Sequence, residues 1–250
     1  HKFCWYNGDP AAYDAAVRGS RVLSAEGFGI FVEIVFDNGC RLCFNDGVNI
    51  RLLPSGEPTP LNFQLLLEFE DDSACVFTVA MYGGIILHDG GYDNEYYIKS
   101  RRAVSPFSDR FKTYFDQTLA GGKPSLSVKA FLAAEQRFPG VGNGVLQDIL
   151  LASGIHPKRK LGTLDGVEKE KLYSSMVAVL REMTGSGGRD TERDIFGRPG
   201  GYRTRLSRNT LAGGCPRCGG PIVKETYLGG TVYYCPACQP PVPKDHAAGV

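Results

Sequence analysis

The sequence predicts an α+β fold: an N-terminal β-sandwich or barrel-like domain, a helical domain, and a small C-terminal β-hairpin pinned by cysteines. Short apolar segments separated by turn clusters fill the stretch from Gly27 to Leu87, and longer apolar stripes at helical spacing follow Pro106. Near the C-terminus, Cys215, Cys218, Cys235 and Cys238 stand in a C-x2-C-x16-C-x2-C arrangement. A chain of 250 residues, 42% apolar and 22% charged, is long enough for two modest domains with cores of their own. The boundaries expected from these textures are 1–98 for the β domain, 99–210 for the helical domain, 211–240 for the hairpin and 241–250 for a disordered tail, Pro-rich from Pro240 and then small.

In the first region Ile30 to Phe36, Arg41 to Phe44, Phe63 to Phe69 and Ala74 to Met81 read as strands. Asp37-Asn38-Gly39 and Asp71-Asp72-Ser73 read as the hairpin connections between them. In the second, Phe107 to Leu119, Ser127 to Gln136, Gly144 to Ser153 and Glu168 to Met183 read as helices. The last has Leu172, Met176, Val179 and Met183 on one face and an approximate capping box of Asp165 and Glu168 at its start. Gly- and Arg-rich sequence from Gly185 to Gly201 predicts a mobile loop.

The cysteine quartet has the spacing of a zinc ribbon. Two thiolate pairs on tight turns close a tetrahedral shell around one ion, leaving no position for a catalytic water, so one structural Zn2+ per chain is expected. Pro216, Gly219, Gly220 and Pro236 supply the turns, and Ile222-Val223 with Val232-Tyr233-Tyr234 supply a hairpin. Two disulfides are the alternative, disfavoured because nothing else in the chain looks secreted. Cys4, Cys40, Cys43 and Cys75 read as buried free thiols. The most apolar stretch, Cys75 to Leu87, is too short to span a bilayer, and Asp9, Asp14 and Arg18 occupy the place of a signal peptide. An intracellular protein of the cytoplasm or nucleoid is expected, neither secreted nor membrane-bound.

The formal charge of +1 is unevenly spread. Residues 1–98 hold 5 Lys/Arg and 14 Asp/Glu, for −9, whereas residues 99–210 hold 20 and 11, for +9. A polyanion would bind the middle segment.

One segment in that middle region narrows the reading. Lys129 to Asn143, KAFLAAEQRFPGVGN, followed by Gly154-Ile155-His156-Pro157, is a helix, a Gly-rich double turn and a second helix. Gly140 and Gly142 let the backbone turn tightly beside a phosphate, and the helix starting near Asn143 offers its free N–H groups to an anion. Together with the C-terminal ribbon and the preceding β domain, this resembles the formamidopyrimidine-DNA glycosylase and endonuclease VIII family, marked by a helix–two-turn–helix and a zinc finger. The resemblance runs in order through nearly the whole chain. It implies that Lys129 and Asn143 contact the DNA backbone; their other readings are a solvated lysine and a helix-capping asparagine. Gly142, Lys158 and Arg159 extend the implied DNA-binding surface, with Lys160 beyond them.

The sequence also departs from the family pattern. The family nucleophile is an N-terminal proline followed by glutamate, and this chain begins His1-Lys2-Phe3. The resemblance therefore implies that no catalytic residue is present, that the Pro-Glu pair lies upstream of His1, that the β domain is N-terminally incomplete, and that the chain as it stands is inactive. A lysine found in many members would fall near Leu61 and Asn62, and the zinc-finger arginine on Gly230. The residues that fill the void of an extruded base would fall near Asp46, Ala80 and Tyr82, of which only Tyr82 is a plausible wedge. Gly187, Arg189 and Arg198 are the candidates for the loop that reads the lesion.

The function so implied is base-excision repair of double-stranded DNA by a monomeric bifunctional glycosylase with abasic-site lyase activity, acting through a Schiff base on the terminal amine. A catalytically silent damaged-DNA-binding protein is the alternative. A zinc-ribbon protein binding RNA or a protein partner is the third reading.

Overall fold

A computed structural model describes residues 3–79 and 82–241. The chain divides into two compact units, one reaching to Ala103 and including Arg193–Pro199, the other Val104–Glu192 with the residues from Gly200 onward.

The first unit contains β1 (Cys4–Tyr6), α1 (Tyr13–Val17), β2 (Val22–Phe28), β3 (Phe31–Phe36), β4 (Arg41–Asn45), β5 (Val48–Leu53), β6 (Leu65–Glu68), β7 (Ala74–Val79), β8 (Gly83–His88) and α2 (Glu95–Arg101). A five-stranded sheet runs β1-β8-β4-β3-β2 and a three-stranded sheet runs β5-β7-β6, with only the β1–β8 pairing parallel. Both expected hairpin connections form. Asn38 Oδ1 accepts from Cys40 N at 3.0 Å and Asp71 Oδ1 from Ser73 N at 3.0 Å, side-chain turns that release the backbone to reverse.

Ile34, Phe36, Leu42, Phe44 and Ile85 of the large sheet pack with Val48, Cys75, Phe77 and Val79 of the small one. The alternate residues Phe31, Cys43 and Ile86 face α2 and Tyr97. Because β4 and β8 are covered on both faces, they read as continuous apolar runs rather than alternating ones. The strand β2 was not expected from the sequence: six of its seven residues are exposed, so nothing imposes an apolar alternation on it. The short helix α2 was also missed, although Asn94 caps it by accepting from Tyr96 N and Tyr97 N.

On the α2 side the sheet buries a charge. Glu33 is fully buried and receives Tyr97 Oη at 2.6 Å, Arg41 Nη1 at 2.9 Å and the Arg101 guanidinium, which also pairs with Glu26. Burial pushes the Glu33 carboxyl up, but Tyr97, Arg41 and Arg101 outweigh it and hold it below the ordinary glutamate range. His88 Nδ1 accepts from Gly90 N at 3.0 Å, and its Nε2 lies 3.2 Å from Glu33 Oε2, off the line of a good hydrogen bond. Burial lowers the His88 pKa against the pull of that carboxylate.

The second unit holds α3 (Phe111–Ala120), α4 (Val128–Ala133), α5 (Asn143–Ser153), α6 (Gly166–Gly185) and the hairpin β9 (Val223–Tyr227) and β10 (Gly230–Tyr234). Its core joins Phe111, Phe115, Phe131, Leu132, Leu146 and Ile149 to the predicted stripe Leu172, Met176, Val179 and Met183. The capping box of Asp165 and Glu168 forms as expected. The helix expected over Ser127–Gln136 stops at Ala133, because Glu135 and Gln136 adopt left-handed backbone (φ 58° and 50°) that no α-helix continues through. Ser127 caps it instead, accepting from Ala130 N.

The segment expected to be a mobile loop is tied by backbone bonds. Asp190 N donates to Tyr202 O, Tyr202 N to Gly188 O, and Asp194 N to Arg198 O, while Ile195 O accepts from Leu52 N of β5. Of the four other cysteines, Cys43 and Cys75 are buried as expected, and burial pushes the Cys43 thiol up to about 12. Cys4 and Cys40 are only partly buried, because they lie on an edge strand and at a turn. Of the tail expected to be disordered, 241–250, residues 242–250 lie outside the described residues. Among the described residues no helix is long and apolar enough to cross a membrane.

Candidate metal centre and anion-binding surface

The four thiols of Cys215, Cys218, Cys235 and Cys238 converge so that all four Sγ atoms lie within 4.8 Å of one another. Cys215 and Cys238 are 3.8 Å apart, Cys218 and Cys235 3.5 Å. Those short edges join one turn to the other. They match the roughly 3.8 Å edge of a tetrahedron with metal–sulfur bonds of about 2.3 Å. All four cysteines are free thiols, and the donor set fits a closed four-sulfur metal site. Each turn is built for it: Cys215 N donates to Gly220 O at 2.7 Å and Gly219 adopts φ 73°, while Gln239 N donates to Cys235 O at 2.8 Å. The buried Gln239 side chain then accepts from Cys235 N at 3.1 Å and donates to Ile155 O at 3.0 Å, fastening the second turn to the helical unit.

The hairpin rising from these turns reverses through Leu228 (φ 49°) and Gly229 (φ 71°), with Tyr227 paired to Gly230. Its backbone is held by the helical motif. Lys129 Nζ donates to Tyr227 O, Asn143 Nδ2 to Thr231 O at 2.7 Å and Gln147 Nε2 to the same oxygen at 3.0 Å, while Gln147 Oε1 accepts from Tyr233 N at 3.2 Å. Lys129 is therefore buried rather than solvated, and burial lowers its pKa. Asn143 does not cap α5. It occupies the first helical position, its amide is engaged on the hairpin, and Gly142 at the cap position has no side chain. The first amides of α5 are left to an outside acceptor. Gly140 needs its left-handed φ of 90°, whereas Gly142 at φ −89° does not; a Cβ at Gly142 would meet nothing within 4 Å.

The other expected contacts lie around this point. Arg189 places its guanidinium over Gly144, where a Cβ would collide with it, and pairs with Glu192 Oε1 at 2.5 Å. Lys158 Nζ meets Glu225 Oε2 at 2.8 Å and lies 5.3 Å from the Tyr227 ring centre; that hydrogen bond raises its pKa. Arg159 is differently placed, with a two-pronged pair to Glu168 at 2.7 and 2.8 Å and a bond to Thr163 O at 2.8 Å. Sequence reasoning missed Gln147, although its position one helical turn after Asn143 was the available signal.

The formamidopyrimidine-DNA glycosylase of Thermus thermophilus is 29% identical over 243 residues, covering 92% of this chain and 88% of the relative. That of Polynucleobacter necessarius is 26% identical over 240 residues, covering 92% and 86%. Lactococcus lactis Fpg, solved in complex with abasic-site-containing DNA, shares the fold at a TM-score of 0.76 and 19% identity over 89% of this chain and 83% of that one. The Thermus thermophilus MutM (Fpg) structure gives 0.75 at 24% identity, over 95% and 88%. Over nearly its whole length the chain is similar to formamidopyrimidine-DNA glycosylases, in sequence and in fold. No family model matches it.

Within that family pattern the departures acquire physical reasons. Gly230, which stands where a hairpin arginine is expected, lies 3.4 Å by its would-be Cβ from both Asn143 Oδ1 and Lys129 Nζ, so a side chain there would press on the motif it supports. The hairpin tip presents Leu228 instead, 61% exposed. Leu61 is fully solvent-exposed. Tyr82 is exposed at φ 46°, and Ala80 lies outside the described residues. In the Gly187–Gly201 segment, Gly187 has φ 69° and open space around it, and Arg198 stacks over the exposed Phe196 at 5.3 Å.

Proposed function

We propose that the protein this sequence belongs to is a base-excision DNA glycosylase that also cleaves abasic sites, working as a monomer inside the cell on double-stranded DNA with a damaged or missing base. The observation that carries the reading is the α5 N-terminus: uncapped amides flanked by Lys129, Asn143 and Arg189, on a basic segment, braced by a hairpin that a four-sulfur metal site fastens in place. Such an arrangement takes a phosphate through backbone N–H groups, the helix dipole and ammonium charge together. Lys129, Asn143, Gly142 and Lys158 are the proposed backbone contacts. Arg159, whose donors are engaged with Glu168 and Thr163, serves by shaping the turn. The metal is zinc, in a structural role.

For the chemistry, a terminal α-amine titrates near about 7.7–8.0 against about 10.4 for lysine, so far more of it is unprotonated at neutral pH. Its lone pair attacks the sugar C1′ and the damaged base leaves with the glycosidic electron pair; the nitrogen then passes its proton to the ring oxygen O4′ and the C1′–O4′ bond breaks, opening the sugar and leaving the C1′=N Schiff base. Abstraction of a C2′ proton then expels the 3′ phosphate and nicks the strand. Gly187, Arg189 and Arg198 lie in the segment proposed to read the extruded base.

The test is base release from a formamidopyrimidine-bearing duplex by the protein expressed from its full reading frame, with borohydride reduction to trap the imine. Release with a trapped adduct at the terminal amine is the expected result. Tight binding of the lesion duplex without release or trapping would instead establish the silent damaged-DNA-binding protein.

A further inference from the structure

Arg189 leaves its own segment and returns to the start of α5. Its guanidinium lies against Gly144, the second residue of that helix, in the space a side chain there would need. The backbone fixes this placement. Arg189 is bridged in parallel to Tyr202, with Tyr202 N donating to Gly188 O at 3.0 Å and Asp190 N to Tyr202 O at 2.8 Å, and Gly200 passes so close to Gly188 that no Cβ would fit between them. Tyr202 is in turn anchored on α5. Its Oη donates to Asp148 Oδ2 at 3.0 Å, and the same buried carboxylate accepts from Arg205 N at 2.9 Å and Leu206 N at 2.8 Å. Asp148 stands one helical turn beyond Gly144, so the path from α5 through Tyr202 to Arg189 closes on the helix it started from.

The guanidinium so placed is short of acceptors. Its Nη2 donates to Glu192 Oε1 at 2.5 Å, but Nε is buried with no hydrogen-bond partner and Nη1 has none among the described residues. A buried donor left unmade is costly, and its presence calls for an explanation. Glu192 is a weak claimant, because its side chain is 55% exposed and such pairs are worth little. Beneath the guanidinium, Asn143 N and Gly144 N also donate to nothing among the described residues. We propose that Arg189 clamps one backbone phosphate of DNA against the first turn of α5, taking it in exchange for Glu192. The inference rests on the DNA reading above and gives Arg189 a role other than the base reading expected of its segment. A phosphate offers charge and several lone pairs to the arginine fork and the helix amides together, whereas a neutral base brings no charge to the helix terminus. Glu192 is then a competitor, which gives the two residues opposite signs.

The experiment titrates the protein expressed from its full reading frame, by anisotropy, with three duplexes of one sequence: intact, tetrahydrofuran-containing, and carrying a carbocyclic formamidopyrimidine that resists cleavage. Arg189→Met should weaken all three by about 10-fold or more, as loss of a charged hydrogen bond implies, and lower the slope of log affinity against log salt by about 1. Arg189→Lys, which keeps the charge without the fork, should keep the slope while losing part of the affinity. Glu192→Gln should tighten all three by about two- to fivefold, a gain that misfolding does not produce. In the Arg189→Met background the same change should do nothing, because the competition it relieves is gone. Loss confined to the formamidopyrimidine duplex would make Arg189 a base reader, and an unchanged salt slope would leave it a packing residue over Gly144. Either result overturns the clamp with the DNA reading intact, as does equal tightening by Glu192→Gln with and without Arg189. Binding of none of the three duplexes by the wild-type protein overturns both.

Discussion

The cysteine knuckles and the β-sandwich achieve a fixed backbone by opposite means. Around the knuckles, Cys215 to Cys238 lie close in sequence, and among the described residues their interior is a small cluster of Leu151, Leu206, Cys215 and Cys235 with Ile222, Tyr233 and Cys238 packed against it. Four sulfurs and the Gln239 clip take the place of a core. In the sandwich, residues far apart in sequence meet through strand pairing, and two apolar layers do the holding, with Phe77 fully buried between them. A fold that stores its stability in coordination responds to its ligands all at once. One that stores it in packing responds in proportion to the volume removed.

That contrast should appear most strongly in Cys218→Ser. On the proposed zinc assignment, the ion's binding free energy, about 10–16 kcal/mol in comparable small sites, is folding free energy for the ribbon. Bound zinc should fall from one equivalent to none, with loss of amide protection in β9 and β10 and retention in β3, β4 and β8. Metal analysis joined to hydrogen exchange checks this, and one equivalent still bound would remove the assignment. Phe77→Ala is the converse, expected to cost about 3–5 kcal/mol in denaturant melts through the cavity left between the sheets, with zinc content unchanged.

A smaller effect separates packing from charge within the sandwich. Glu33→Gln leaves Arg41 and Arg101 facing a neutral amide, and should cost about 2–3 kcal/mol, below the range for fully buried pairs because both arginines are partly solvated. The pH dependence has a definite sign. The folded Glu33 pKa is depressed, so its stabilisation is present above the unfolded value near about 4.3 and is lost as pH falls through the folded one. His88 is also depressed, so the unfolded chain takes up its proton first as pH falls below about 6.5, again weakening the fold on the acid side. Stability should therefore decline from about pH 6.5 downward, and Glu33→Gln should flatten the decline below about pH 4.3. Melts across that range at fixed salt would expose a wrong sign.

The same contrast explains what could be read from sequence. The cysteine quartet, its turns and the α6 stripe are local patterns, and the spacing of their residues is itself the geometric statement. Lys129 and Asn143 were legible as a motif, yet their attachment to Tyr227 O and Thr231 O was not, because a bond to backbone leaves no mark on the residue that receives it. Glu135 and Gln136 look helical, yet α4 ends before them, with Ala134 extended and both of them in left-handed backbone. Arg189 and Gly144 could not be joined in advance, since the bridge of Arg189 with Tyr202 is a fact about topology. Edge strand β2 was invisible for the complementary reason, that nothing buries it.

The basic helical unit, rather than the acidic sandwich, is held to supply the grip on DNA phosphate, and the salt dependence of Lys129→Met tests this directly. Affinity for a tetrahydrofuran-containing duplex, measured by anisotropy from low to physiological salt, should fall linearly on logarithmic axes for both proteins. The variant's slope should be smaller by about 1, with damaged and intact duplexes weakened alike. An unchanged slope would contradict the account, because Lys129 would then serve only to hold the hairpin at Tyr227.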